Sequence, residues 1–147
     1  QVPEKYQEIP DAMQNREEFE EWLIRTACRI SEMMGRERDN TAKRMILDAK
    51  QYIQENYQNP DLSVEMVCRQ LHLSPAYFST MFKKETGQTY VGYLTQLRLD
   101  KAVELLNTTD DKTYIIAQKV GYQEQNYFSY VFKKRFGVSP TRFRQAQ

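Results

Sequence analysis

The residue types best able to recognise another molecule lie in two short stretches. Gln125 and Asn126 carry carboxamides, which place a donor beside an acceptor and can pair bidentately with adenine. Ser129 and Tyr130 follow at helical spacing. In the other stretch Ala76, Ser79 and Thr80 are small, and the methyl of Ala or Thr suits the methyl of thymine. Each stretch ends in a lysine pair, Lys83-Lys84 and Lys133-Lys134, whose charge suits phosphate oxygens and gives affinity without sequence choice. An ordinary solvated helix face is the plainer reading of every one of these positions.

What lifts them above that reading is a repeat. Tyr77-Phe78-Ser79-x-x-Phe82-Lys83-Lys84-x-x-Gly87 recurs fifty positions on as Tyr127-Phe128-Ser129-x-x-Phe132-Lys133-Lys134-x-x-Gly137. Most of the repeated residues are suited to packing. Phe78 and Phe82, like Phe128 and Phe132, stand at i and i+4 and should face a core. Gly87 and Gly137 should end their helices, where a left-handed residue is commonly needed. The candidate contact residues fall on the opposite side of the same two helices.

Around each copy the order of elements is the same: a short helix, a tight turn and a second helix, the arrangement that seats its second helix in a DNA major groove. Ser63 can cap a helix running to Leu71, with Leu62 and Val67 as a hydrophobic staple. His72-Leu73 makes the turn, and Ser74 caps the next helix with Pro75 at its first position. Thr89 caps a longer helix, Tyr90 to Leu106. Tyr114 to Val120 is the next short helix, Gly121-Tyr122 the turn, Glu124 to Phe136 the second reader, and Ser139-Pro140 caps a last helix. Upstream of the readers the offset drops from 50 to 49, Val67-Cys68 matching Ile116-Ala117, so the second turn is one residue longer.

Before the first unit, the polar first fifteen residues with Pro3 and Pro10 read as a linker or loose arm. From Arg16 to Met34, Phe19, Trp22, Leu23, Ala27, Ile30, Met33 and Met34 fall at helical spacing. Phe19, Leu23, Thr26, Ile30 and Met33 step like a coiled-coil seam, a candidate surface for pairing with a second copy or packing on a neighbour. Gly35 to Asn40 reads as a charged break. A further helix from Thr41 to Tyr57 carries Met45, Ile46, Ala49, Tyr52 and Ile53 on one face. The expected fold is therefore all-α: two helix-turn-helix subdomains, at about 63–87 and 113–137, joined by a long linker helix and preceded by an extra N-terminal helix. Residues 1–43 read as a linker with an amphipathic helix, ahead of a domain expected over 44–147.

Composition excludes several classes. The chain has 147 residues with 5 Gly and 5 Pro, and is rich in helix formers. No run of about 18 apolar residues is present to span a membrane, and no signal segment is seen, so a cytoplasmic location is expected. Cys28 and Cys68 are unpaired in spacing and read as small buried apolar side chains. With His72 the only histidine, no metal site and no cofactor is expected. Nor does any catalytic constellation stand out. The near-neutral total hides an asymmetry. Residues 1–40 hold 6 Lys and Arg against 10 Asp and Glu, whereas residues 41–147 hold 15 against 10. The basic part is the repeated part, as an approach to phosphates requires.

Several segments carry a family resemblance: Leu62-Ser63-Val64-Glu65, Leu71-His72-Leu73-Ser74-Pro75, Phe82-Lys83-Lys84-Glu85-Thr86-Gly87, Ile116-Ala117-x-x-Val120-Gly121-Tyr122, and the second copy of the repeat. Together they closely resemble the AraC/XylS family of bacterial transcription regulators over about residues 44–145. The resemblance implies two reader helices in successive major-groove segments, about 34 Å apart. It places base-contact positions on Ala76, Ser79, Thr80, Gln125, Asn126 and Tyr130. The small residues of the first reader depart from the larger polar ones often found there, which shifts base reading toward the second.

Residues 1–43 look like the region between receiver and DNA-binding domains in YesN-like response regulators, with the receiver absent and the chain, which begins at Gln1, a fragment. The function expected on this basis is a sequence-specific DNA-binding transcription regulator, more often an activator. It would be the output part of a two-component system, with promoter DNA and RNA polymerase as partners. The alternative is a helical interaction or oligomerisation module centred on the helix near Phe19–Met34. No enzyme activity is expected.

Overall fold

The structure is a computed structural model that describes residues 16–145. The arm expected over the first fifteen residues lies outside them. Seven helices are found among the described residues: α1 (Arg16–Asn56), α2 (Val64–Leu71), α3 (Pro75–Thr86), α4 (Tyr90–Thr108), α5 (Thr113–Lys119), α6 (Gln125–Phe136) and α7 (Pro140–Gln145). The chain divides into two compact units, one up to Thr41 and one from Ala42 on.

In the first unit the described residues are all helical. The charged break expected from Gly35 to Asn40 is absent, and α1 runs through it. Gly35 is the only poor helix former there, and a single interior glycine costs about 1 kcal/mol. Arg36, Glu37 and Arg38 favour helix, no proline interrupts, and the Thr41 hydroxyl donates to the Glu37 carbonyl at 2.9 Å. Phe19, Leu23 and Ile30 are exposed on this stretch, with the Phe19 and Trp22 rings stacked at 6.1 Å. Cys28 is exposed as well, contrary to the expectation of a buried thiol, whereas Cys68 is buried.

The second unit is built around α4, which serves two cores in turn. Its first half sends Tyr90 and Leu94 into a core with Ile46, Ala49 and Ile53 of α1, Val67 and Cys68 of α2, and Phe78 and Phe82 of α3. Its second half sends Leu99, Ala102 and Leu106 into another, with Ile116 and Ala117 of α5, Tyr122, and Phe128 and Phe132 of α6. The four reader phenylalanines are all at most 1% exposed. Small Cys68 and Ala117 at matching places let the short helices approach closely.

The caps are those the residue types require. Ser63 accepts from the Met66 amide, Ser74 from the Tyr77 amide and Thr89 from the Gly92 amide, each within 3.3 Å. Gly87 and Gly137 close the readers at φ of 76° and 80°. In the first turn His72 takes the left-handed conformation at φ 56°, uncommon for a side-chain-bearing residue. The second unit has no side-chain cap on α5 or α6. Aromatic packing compensates: Phe132 meets Phe128 at 5.8 Å, Phe136 at 4.6 Å and Phe143 of α7 at 5.5 Å, the last edge-on.

Two arginines finish helix ends whose own last turns carry no basic residue. Arg98 of α4 donates from Nε to the Tyr57 carbonyl at 2.9 Å and from Nη2 to the Asn59 carbonyl at 2.8 Å, just past the end of α1. Arg144 of α7 donates to the Leu106, Thr109 and Asp111 carbonyls at 3.2, 3.0 and 2.6 Å, closing the end of α4. A cation at a helix C-terminus opposes the negative end of the dipole.

Because Phe132 stands at the centre of the second aromatic cluster, Phe132→Ala should lower unfolding free energy by about 3–5 kcal/mol. Chemical denaturation of the two proteins reads this directly, and wild-type stability in the variant would show that the helix face is misassigned.

Candidate nucleic-acid interface

The burial of Phe78 and Phe82 fixes which side of α3 is left outside. Ala76, Ser79, Thr80 and Lys83 lie on that side and are exposed, and Lys84 beside them is exposed too. The Thr80 hydroxyl donates to the Ala76 carbonyl at 3.0 Å, so it is occupied within its own helix. A face with so little hydrogen-bonding capacity offers methyls and two charges more than donors and acceptors.

The corresponding side of α6 is different in kind. Gln125, Asn126, Tyr130 and Lys133 are exposed, Tyr130 by 63%, and Lys134 continues the charge toward the helix end. Ser129 is only half-buried rather than freely presented, unlike its counterpart Ser79, which is exposed. Two adjacent carboxamides and a phenol give this face the directional groups that α3 lacks. The structure thus separates the candidates into two helix faces, alike in their lysines and unlike in everything that could discriminate between bases.

Neighbouring residues that the sequence pattern did not single out join these faces. Thr95 and Gln96 of α4 line a groove with Tyr130, Lys134 and Arg135 of α6. Beside α3, Thr89 and Val91 at the start of α4 line another groove with Ser79, Thr80, Lys83 and Lys84. Arg135 is exposed in the last turn of α6 and adds a third positive charge to its lysine pair. Its signal was present in the run Lys133-Lys134-Arg135, but it stands at an unmatched position of the repeat, opposite Glu85. No group of three or more metal-ligating side chains occurs among the described residues, and none of their helices is long and apolar enough to cross a membrane.

Residues 67–146 match a family described as a helix-turn-helix domain. The chain belongs to the AraC-type helix-turn-helix family. It is 31% identical over 126 residues to the arabinose operon regulatory protein of Escherichia coli, covering 86% of this chain and 42% of that protein. It is 44% identical over 81 residues to the transcriptional activator RhaR of Pectobacterium carotovorum, covering 55% of this chain and 28% of that one. The chain thus spans less than half the length of these curated relatives.

Among solved structures it resembles the C-terminal domain of AraT, a response regulator from Geobacillus stearothermophilus. That likeness has a TM-score of 0.69 at 43% identity and covers 70% of this chain and 85% of that one. A second likeness is to the C-terminal domain of the response regulator yesN from Fusobacterium nucleatum, with a TM-score of 0.66 at 38% identity, covering 71% and 98%. The two-subdomain helical fold of this AraC-type domain is also that of the DNA-binding domain of AdpA, solved with a target DNA, at 23% identity and a TM-score of 0.66, covering 69% and 90%. These named relatives are transcription regulators rather than enzymes, in keeping with the lack of a catalytic constellation in the sequence.

Proposed function

We propose that this AraC-type domain reads two adjacent major-groove segments of promoter DNA, α3 in one and α6 in the next, as the output part of a two-component response regulator. The observation that carries the reading is the repeated Phe pair. It buries the same side of both helices and so presents two matched outer faces, each with a lysine pair at its end. Gln125, Asn126 and Tyr130 are the base readers with the most directional chemistry, with Ser129 at the margin. Ala76, Ser79 and Thr80 contribute apolar contact. Lys83, Lys84, Lys133 and Lys134 meet phosphates.

The response-regulator part rests on the likeness to the AraT and yesN domains, and activation on the likeness to RhaR, itself named an activator. RNA polymerase is then the second partner, and the cytoplasm the place of action. Residues 1–43 would serve as the inter-domain region, and compact packing from Ala42 onward suits that division. Exposed Phe19, Leu23 and Ile30, spaced like a coiled-coil seam, support pairing with a second copy. The same exposed residues favour a second reading, an interaction module that self-associates and has no salt-dependent DNA binding.

Selection of sites from random duplex DNA, followed by affinity measurement at several salt concentrations, tests the proposal. A bipartite site is expected, with two short motifs about 10–10.5 base pairs apart. One short motif alone would contradict tandem reading. No enrichment, with self-association intact, would favour the interaction module.

Asn126→Ala should cost about 1–3 kcal/mol on the selected site and relax preference at one base position. An equal loss on scrambled DNA would remove Asn126 from the base readers. Lys133→Ala should weaken binding to every sequence alike and reduce the slope of log affinity against log salt by about one unit. A slope identical to wild type would take it off the phosphate list.

A further inference from the structure

Among the described residues Arg98 is the buried charged one, 9% exposed on α4. It stands on the stripe Leu94, Arg98, Ala102, Leu106, where an apolar residue would continue the packing without interruption. No carboxylate lies within ion-pair distance of it among the described residues. Burial pulls its pKa below the ordinary arginine value, while the guanidinium remains charged at neutral pH. Such a group is an expensive way to fill a core. What it supplies in return is direction, because a planar guanidinium fixes several partners at set angles.

Those partners come from two places, the connection just before the first helix-turn-helix subdomain and the turn of the second. Nε and Nη2 hold the Tyr57 and Asn59 carbonyls, at the end of α1 where the first core closes. The guanidinium carbon lies 5.4 Å from the centroid of the Tyr122 ring, in the turn of the second subdomain. Gly121 brings that turn against the same place. It sits at φ 94°, and a Cβ on it would overlap the Tyr57 carbonyl oxygen and stand 2.8 Å from Arg98 Nε. Tyr122 in turn packs on Phe128 at 5.5 Å and Tyr127 at 6.0 Å, both on α6. An unbroken path of contacts therefore runs from the end of α1, through Arg98, to the second reader helix.

We infer that Arg98 is a positioning residue that sets the separation and rotational phase of the two reader helices, and so the number of base pairs accepted between the two half-sites. The inference rests on the tandem reading proposed above. One base pair added to or removed from the spacer rotates one half-site by about 35° relative to the other, given 10–10.5 base pairs per turn. A rigid pair of readers cannot follow that rotation, whereas a loosened pair can.

The test is binding to the selected bipartite site and to versions with one base pair inserted or deleted, alongside a lone α6 half-site. Wild type should lose about tenfold or more on either altered spacer, the worth of one good base contact. Arg98→Gln should bind the lone half-site as wild type does, yet bind the three spacers with nearly equal affinity. A merely structural role would not move that ratio while leaving the half-site untouched. A cooperatively folded Arg98→Gln with the wild-type spacer ratio would overturn the inference. Should Arg98→Gln not fold cooperatively, Arg98→Lys is judged in the same series by the same criterion, since it keeps the charge but loses the fork. Wild type indifferent to spacer length would instead overturn the tandem reading itself, and the inference with it.

Discussion

The arrangement of this domain depends on a buried cation neutralised by dipoles rather than by an acid. Arg98 lies where α4 passes from one core to the other, and its guanidinium is satisfied by two carbonyls past the end of α1 and by the face of Tyr122. Either core could form with an apolar residue at this place. Two cores strung on one helix, however, would be free to twist about it. The guanidinium restrains that freedom because its fork holds the Tyr57 and Asn59 carbonyls while its carbon lies over the Tyr122 ring, and Gly121 allows the second subdomain close enough to be held. Tyr57 packs against both cores at the same junction, so apolar contact lies beside the polar clamp.

Outward from that junction, the two halves share the buried phenylalanines and the exposed lysine pairs, and differ at several other outward positions. Phe78 and Phe128, like Phe82 and Phe132, must each fill a core through an i, i+4 pair, and little else has their volume and shape. The opposite faces touch no core, so Ala76 and Asn126, or Thr80 and Tyr130, are free to differ. Capping diverges as well. The first subdomain uses Ser63 and Ser74, while the second relies on Phe132, Phe136 and Phe143 and on Arg144 closing the end of α4. Ring packing serves both halves, and only the first adds side-chain caps on both helices of its helix-turn-helix pair.

Much of this was legible in the sequence, because caps and periodic apolar residues are local signals. Ser-x-x spacing, Pro75 after Ser74, and the terminal glycines mark helix ends by chemistry that acts within one turn. The long-range features were not legible. Gly35 within a charged stretch resembles a break, yet helix-forming neighbours carry α1 through it. His72 in a left-handed conformation is imposed by the turn rather than preferred by the residue. Ser129 shares the outward spacing of Ser79 but is half-buried where Ser79 is exposed. Arg98 reads as one more solvated charge on a mixed helix until its step of four from Leu94 and to Ala102 is noticed. Its partners, some forty residues earlier in the chain, appear in no local pattern.

Whether the two reader helices are held at one separation before any DNA is met can be measured without DNA. Arg69 and Gln118 are exposed, occupy equivalent places on α2 and α5 and lie outside the proposed contact residues, and Cys68 is buried, so replacing Cys28 with Ser permits specific labelling at Arg69→Cys and Gln118→Cys. Pulsed electron spin resonance between the two spin labels then gives the distribution of distances. A single narrow distribution in the free protein, unchanged when DNA is added, is what the clamp predicts. A broad distribution that sharpens or shifts on binding would contradict it, and would mean that DNA rather than Arg98 sets the spacing.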